Sequence, residues 1–333
     1  MKVLWITHRR TTDMSSSSRI GISSALEKRG WYVDFMSPDG DFVVERSERI
    51  GFGHRSFSNS VRKTLETINL ETYSVLIVEW TAVQGCKKKL IEDSIPWIIL
   101  DRSPPVSTGL VQMVQMLQYR IAWDFARKFA HGRAVKSPLM DTQIEWSGHS
   151  VVVPSGVDAE RFIIAEMNDD PLVVCHGSLD RTRELHRLAN MNVNLLLFGE
   201  GNDAKRLSKI IRVEKSGDVS KRLAKSDIGV LNLPNRKVWK YASPLKVAEF
   251  AASGLPVVSS DVSGLDRFRD APWLKLVPLG DDLACEEALQ EFCRMSKKER
   301  REIGRLARLD AENLMSWEYC TEALHQMLIE VKR

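Results

Sequence analysis

The 333-residue sequence lacks long hydrophobic runs, paired cysteines and any strong excess of charge. No apolar stretch approaches the roughly 18 residues that a membrane-spanning helix needs, which argues against an integral helical membrane protein. The five cysteines, Cys86, Cys175, Cys285, Cys293 and Cys320, are scattered, with no Cys-x-x-Cys pair and no Cys/His cluster at zinc spacing. An odd, dispersed set reads as reduced thiols and points to the cytoplasm rather than to a disulfide scaffold. Lys and Arg total 48 against 44 Asp and Glu, a net charge of +4, too small for a protein dedicated to nucleic acid. There is neither a low-complexity tract nor a short repeat. The chain opens directly on an apolar strand, so no signal peptide is expected. No metal ligand set and no cofactor are assigned.

What the chain does have is alternation of strands and helices, at a length that suggests two domains. Lys2–Thr7 reads as a buried strand, Ile20–Arg29 as a helix ending at Gly30, and Trp31–Met36 as a second strand. That is a β-loop-α-β unit and implies a parallel sheet. The loop serines Ser15-Ser16-Ser17-Ser18 either cap the helix, offer an anion site or are simply a flexible loop. The stretch Asp39–Gly53 is polar and hard to place. Ser74–Glu79 and Trp97–Leu100 read as further strands, followed by Asp101. Parallel sheets place ligands at the C-terminal ends of their strands. Glu79 and Asp101 stand there, and Asp101 is either a ligand-site group or a loop-capping residue.

Gly109–Ala130 reads as a long amphipathic helix, with Val111, Val114, Leu117, Ile121 and Phe125 on one face and Met113, Met116, Tyr119, Trp123 and Phe129 broadening it. A helix rich in Met and aromatics is expected in the core. Arg120, Arg127 and Lys128 leave a membrane surface as the alternative, as an acceptor groove does. Pro171–Cys175 opens a second parallel sheet, continued by Asn194–Phe198, Ile228–Leu231, Val257–Ser260 and Leu274–Val277. Gly199-Glu200-Gly201-Asn202-Asp203-Ala204 fits a variant of the dinucleotide fingerprint. It sits on an inner strand of the second half, not on a first βα unit, so a redox reading is disfavoured.

The densest signal is Ala242–Asp261. Ser243 suits an N-cap, Pro244 the first helical position and Gly254 the left-handed residue past a helix end. Leu245, Val247, Ala248, Phe250, Ala251 and Ala252 make the intervening helix apolar nearly all round, as in buried helices. Its polar residues Lys246, Glu249 and Ser253 share one stripe. A buried charge needs a partner or a ligand. Either Lys246 and Glu249 pair with each other, or Lys246 in the first turn meets a phosphate while Glu249 accepts from a hydroxyl pair.

The wording of this stretch resembles the donor-binding segment of glycosyltransferase family 4, which reads Ser-Pro-Leu-Lys, then Glu-Tyr/Phe-x-Ala-x-Gly-x-Pro-Val-Val. Ser243-Pro244-Leu245-Lys246, Glu249-Phe250, Ala252, Gly254 and Pro256-Val257-Val258 match. Further matches are Pro154-Ser155-Gly156-Val157-Asp158 with Phe162, Gly177 and Leu179 of the Gly-Arg-Leu segment, the turn at Gly199, and Ser316-Trp317-Glu318. Two positions depart. Ser178 stands where the family has Arg, with Arg183 at the place of its Lys, and Tyr241 stands where many members have a second Glu.

The resemblance implies an α/β protein of GT-B type, with two Rossmann-like doubly wound domains facing a cleft. Residues 1–160 would form the acceptor-side domain and 161–315 the nucleotide-sugar domain, with 316–333 a helix crossing back. It implies a retaining glycosyltransferase that uses a nucleotide-diphosphate sugar and a carbohydrate or lipid-linked acceptor, without metal, in the cytoplasm or at the inner membrane face. Gly177, Ser178, Arg183, Gly199, Ser243, Pro244, Leu245, Lys246 and Glu249 would bind the donor. Asp101, Arg183 and Lys246 would carry the chemistry. The departures at Ser178 and Tyr241 keep two alternatives open, another GT-B enzyme such as a nucleotide-sugar epimerase and a sugar-nucleotide binder without turnover.

Overall fold

A computed structural model of the chain describes residues 1–12, 16–46, 53–107 and 109–332. Ser15 of the serine loop and residues 47–52 of the polar stretch lie outside the described residues. The chain divides into two compact units, Met1–Pro154 with Cys320–Arg333, and Ser155–Tyr319. Among the described residues, no helix is long and apolar enough to cross a membrane.

The first unit holds a seven-stranded sheet. Its strands are β1 (Lys2–Ile6), β2 (Tyr32–Ser37), β3 (Phe42–Val43), β4 (Val75–Glu79), β5 (Trp97–Asp101), β6 (Gly132–Val135) and β7 (His149–Val152). The order is β3-β2-β1-β4-β5-β6-β7, and every pairing is parallel. The inner strands β4, β5 and β6 are buried along their whole length, and β4 and β5 have the Val/Ile/Leu-rich runs of strands covered on both faces. The helices are α1 (Ser17–Glu27), α2 (Gly53–Leu65), α3 (Val83–Glu92), α4 (Gly109–Phe129) and α5 (Pro138–Gln143). Ser16 precedes α1 without capping it and donates its hydroxyl to Arg10 O instead.

Helix α4 departs from the core expectation. Its aromatic side, Tyr119, Trp123 and Phe125, is buried with Ala122 and Ala126. The aliphatic side is not: Leu110 is 79% exposed, Met113 68% and Leu117 59%, and Val111, Val114 and Ile121 are exposed as well. Periodicity alone could not choose between two apolar faces. The aromatic face carries the polar tips that a buried carboxylate on β5 needs.

The second unit repeats the pattern. Its strands are β8 (Val173–Ser178), β9 (Leu195–Glu200), β10 (Arg212–Glu214), β11 (Ile228–Leu231), β12 (Val257–Ser260) and β13 (Leu274–Val277). They run parallel in the order β10-β9-β8-β11-β12-β13. Both sheets thus have the doubly wound order, which reverses between β1 and β4 in one and between β8 and β11 in the other. Ligands of such sheets bind beyond the strand ends at that reversal. The helices are α6 (Ala204–Leu207), α7 (Val219–Leu223), α8 (Leu245–Ala252), α9 (Asp282–Arg294) and α10 (Lys297–Leu314), and α11 (Trp317–Val331) ends the chain.

Helix α8 packs its apolar sides into the core through Val247, Ala248, Phe250, Ala251 and Ala252. Burial of a Val or Phe contributes about 1.5–3 kcal/mol. The helix starts one residue later than the sequence suggests. Pro244 is its N-cap, and no side chain caps the first turn. Ser243 Oγ accepts instead from Ser155 N at 2.8 Å, while Ser155 Oγ donates to Ser243 O at 2.6 Å. Gly254 ends α8 at φ 70°, with Leu255 N donating to Phe250 O at 3.0 Å. The two outlying motifs pack on each other: Val157 N donates to Met315 O at 2.7 Å, and Gly156 lies so close to the Trp317 ring that a Cβ there would sit 2.8 Å from it. Their fixed wording therefore has a packing cause.

Candidate functional site

Two strand ends build the floor of the site. In the β8–β9 register Gly177 faces Gly199, and both have positive φ, 101° and 151°. A Cβ on Gly199 would lie 1.9 Å from Gly177 O, so the strands approach more closely here than any side chain allows. A Cβ on Gly177 would lie 2.7 Å from Lys246 Cε and 2.8 Å from its Nζ. The Lys246 amine therefore rests directly on the bare end of β8, beside the uncapped first turn of α8.

Arg183 closes one side. It ends the short 3-10 turn Arg181–Arg183, after which Glu184 adopts a left-handed conformation, φ 51°. Its guanidinium lies 4.5 Å from the centre of the Trp239 ring, which fixes its plane. Arg183 and Lys246 are both half-buried. Burial, reinforced by the Arg183 charge, pulls the Lys246 ammonium down to about 8. Burial likewise lowers Arg183. Among the described residues neither cation has a carboxylate within ion-pair distance. Two partly desolvated cations that repel each other without an acidic partner form a site that an anion would complete.

Glu249, one turn beyond Lys246, does not pair with it. Its carboxylate is 3.1 Å from His176 Nε2. This contact is close but off the ring N–H axis, so the buried Nε2 has no well-directed acceptor. The His176 ring stacks on Phe198 with centroids 5.1 Å apart and an interplanar angle of 11°, and meets Phe250 edge-on at 5.1 Å. Burial lowers the His176 pKa, against the pull of Glu249. The carboxylate of Glu249 keeps 18% of its side-chain surface in solvent, enough for a ligand to reach it.

Ser178 donates its hydroxyl to Asp180 Oδ2, so a carboxylate stands where the resembled family has a cation. Arg181 does not replace that charge: it is 76% exposed and directed at Asp203, 3.8 Å away. Lys237 and Lys240 of the 232–241 loop are exposed, and the loop's contribution to the site is Trp239. In the Gly-x-Gly-x-x-Ala stretch, Gly199 and Gly201 serve close backbone contact with Gly177 and Leu179.

Thus Gly177, Ser178, Arg183, Gly199, Ser243, Pro244, Leu245, Lys246 and Glu249 all lie in the second unit, while Asp101 belongs to the first. Asp101 is fully buried. It accepts from Tyr119 Oη at 2.5 Å, Trp123 Nε1 at 3.3 Å and Ser103 N at 2.9 Å. Burial raises its pKa against these donors. The geometry is that of a carboxylate holding α4 to the loop after β5. Asp101→Ala is expected to destabilise the protein by on the order of 3 kcal/mol, since it orphans buried donors, measured by urea unfolding. A variant of unchanged stability but lost turnover would instead make Asp101 a chemical group.

Glu79 is similarly engaged, by Arg19 Nε at 2.6 Å and Nη2 at 2.7 Å and by Trp5 Nε1 at 3.3 Å. The expectation that no metal is used overlooks an Asp-x-Asp, Asp39-Gly40-Asp41. Asp39 accepts from Thr11 N and from both the N–H and hydroxyl of Thr12, and Asp41 from Phe35 N. Against burial, these bonds to Asp39 hold its pKa down to about 2. Both carboxylates therefore already bind backbone.

Residues 171–294, which carry all of these second-unit site residues, match the family model described as Glycosyl transferases group 1. No curated protein sequence matches the chain. Solved structures match over nearly its full length. The chain is similar to sucrose-phosphate synthase from Thermosynechococcus elongatus, at 17% identity, covering 99% of this chain and 98% of that one, TM-score 0.74. It is similar to Anabaena HepE in complex with UDP and glucose, at 14% identity, covering 99% and 100%, TM-score 0.76. It is also similar to WaaG, a glycosyltransferase involved in lipopolysaccharide biosynthesis, at 14% identity, covering 98% and 99%, TM-score 0.66. These likenesses establish the fold as GT-B.

Proposed function

We propose that the protein is a glycosyltransferase that moves a sugar from a nucleoside diphosphate sugar to an acceptor hydroxyl with retention at the anomeric carbon. The observation that carries this reading is the pair Arg183 and Lys246, two half-buried cations with no carboxylate within ion-pair distance among the described residues, with Glu249 one turn beyond Lys246. The family match over 171–294 and the UDP complexes of HepE support it.

In the reaction, the bond from the anomeric carbon to the diphosphate oxygen breaks and the diphosphate keeps the electron pair. The acceptor oxygen bonds to the same face of the carbon, and its proton passes to the departing diphosphate. Charge grows on the leaving group, and fixed cations there lower the barrier. Lys246 and Arg183 supply that charge, and Glu249 accepts from the ribose hydroxyls. No carboxylate nucleophile is needed.

Titration calorimetry with UDP, GDP, ADP and their sugars tests the donor assignment. Glu249→Ala is expected to weaken the best nucleotide about 10- to 100-fold through loss of charge-assisted hydrogen bonds, with the fold intact. Unchanged affinity removes Glu249 from the site. A second reading, a sugar-nucleotide binder without turnover, is favoured by the Ser178–Asp180 contact. Donor binding without any release of nucleoside diphosphate in the presence of varied acceptors would establish it.

The acceptor is carbohydrate or lipid-linked. Peripheral contact with a membrane is supported by α4, whose exposed Leu110, Met113, Val114 and Leu117 have Arg120 and Lys128 beside them and so combine apolar burial with attraction to anionic headgroups. Sedimentation with vesicles containing anionic phosphatidylglycerol is expected to carry the protein down, and Leu117→Glu to reduce that fraction severalfold. Equal recovery of both proteins in the supernatant contradicts the contact.

A further inference from the structure

We infer that His176 is a positioning residue for Glu249, orienting the carboxylate that receives the ribose hydroxyls. The inference rests on the reading of Glu249 given above and adds a residue that neither the family wording nor any motif marks.

The physical case begins with cost. A histidine ring in a nearly dry strand end must satisfy its nitrogens or lose stability. His176 is 5% exposed and lies in the run Val173-Val174-Cys175-His176, where an aliphatic side chain would fill the space between Phe198 and Phe250 without that cost. The two aromatic rings hold the imidazole from two directions, one face-on and one edge-on. Its plane is therefore set by packing rather than by Glu249. Nε2 is thereby pointed to within 3.1 Å of Glu249 Oε2, and among the described residues His176 is the one side-chain partner of that carboxylate.

Charge selects the protonation state. The charged groups that face the ring, Glu249 and Lys246, both come from α8 and act in opposite directions, and burial adds to Lys246. A neutral ring next to a carboxylate carries its proton on the nitrogen nearest that carboxylate, which makes Nε2 the donor. A carboxylate has about four lone-pair positions. One faces His176, which leaves room for a pair of hydroxyls on the exposed side. The present contact is off-axis and leaves Nε2 without a well-directed acceptor. A small rotation of the carboxylate toward the ligand would align it. Ligand binding and satisfaction of the buried donor would then favour the same rotamer.

The test compares a ribonucleotide with its dideoxy analogue. Affinities for UDP and 2′,3′-dideoxyuridine diphosphate are measured by calorimetry in the unmodified protein, Glu249→Ala, His176→Leu and His176→Gln, with GDP or ADP replacing UDP if either binds tighter. The ratio of the two affinities isolates the hydroxyl contacts. His176→Leu is expected to lower the ratio about tenfold, toward that of Glu249→Ala, while dideoxynucleotide binding changes less than twofold. His176→Gln, whose side-chain amide can donate from a similar position, is expected to restore most of the ratio. Equal weakening of both nucleotides in His176→Leu would show a merely structural role and overturn the inference. So would a ratio unchanged in His176→Leu but lowered in Glu249→Ala, which leaves the Glu249 reading standing. A ratio near one in the unmodified protein overturns both. Should His176→Leu not fold, His176→Asn, too short to reach Glu249, takes its place with the same outcomes.

Discussion

Replacing Lys246 by alanine is expected to weaken UDP binding about 10- to 100-fold, the worth of one or two charge-assisted hydrogen bonds to phosphate. The melting temperature is expected to hold or rise. The reason for the second half is electrostatic: the amine sits buried on the end of β8 beside the like charge of Arg183, a cost that Glu249 and Asp180, outside ion-pair distance, only partly offset, and removing it relieves that cost. A residue kept for structure would behave in the opposite way, with stability falling and affinity untouched. The pH profile gives an independent check. With the free amine at about 8, Lys246 is charged below that value and neutral above it. A bound diphosphate favours the charged form and raises the pKa. Affinity is therefore full below pH 8 and falls by up to about tenfold per unit above it, until the pKa of the complex is passed. Lys246→Arg, charged throughout, is expected to lose this decline. A profile flat from pH 7 to 9.5 in the unmodified protein would remove Lys246 from the anion site.

Gly199→Ala is expected to cost more than about 3 kcal/mol of stability. The new carbon would be placed 1.9 Å from Gly177 O, a backbone atom that cannot swing aside, at a φ of 151° that side chains rarely adopt. Strands β8 and β9 would have to separate at the point where Lys246 rests. An unfolding free energy from urea titration within about 1 kcal/mol of the unmodified protein's would show that the strand ends are not pinned together. Gly199 thus enters the site through the close packing of β9 on β8.

Much of this was legible before any coordinates. Parallel sheets followed from alternation of strand and helix, and the greasy helix with a Lys–Glu stripe followed from residues 245–252. Gly254 was readable because a helix end leaves few conformational options. Three features were not. Ser243 looked like a helix cap, because a Ser before a Pro reads that way locally, yet its hydroxyl is taken by a residue 88 positions earlier in sequence. The outer face of α4 was as apolar as the inner one, and only the need of Asp101 for Tyr119 and Trp123 selects the aromatic face for burial. His176 and Trp239 carry no motif. The one available signal for His176 was an ionisable residue in a run otherwise fit for a buried strand, and its partner Glu249 lies 73 residues away. Local patterns encode elements and caps, whereas partners across the sheet appear only after the chain has folded.

The central claim is that Arg183, Lys246 and Glu249 together hold a nucleoside diphosphate. A crystal structure of the protein with UDP tests it most directly. The expected density has diphosphate oxygens within hydrogen-bond distance of Lys246 Nζ and the Arg183 guanidinium, and both ribose hydroxyls on the Glu249 carboxylate. A nucleotide bound elsewhere, with these three side chains unengaged, would contradict the claim.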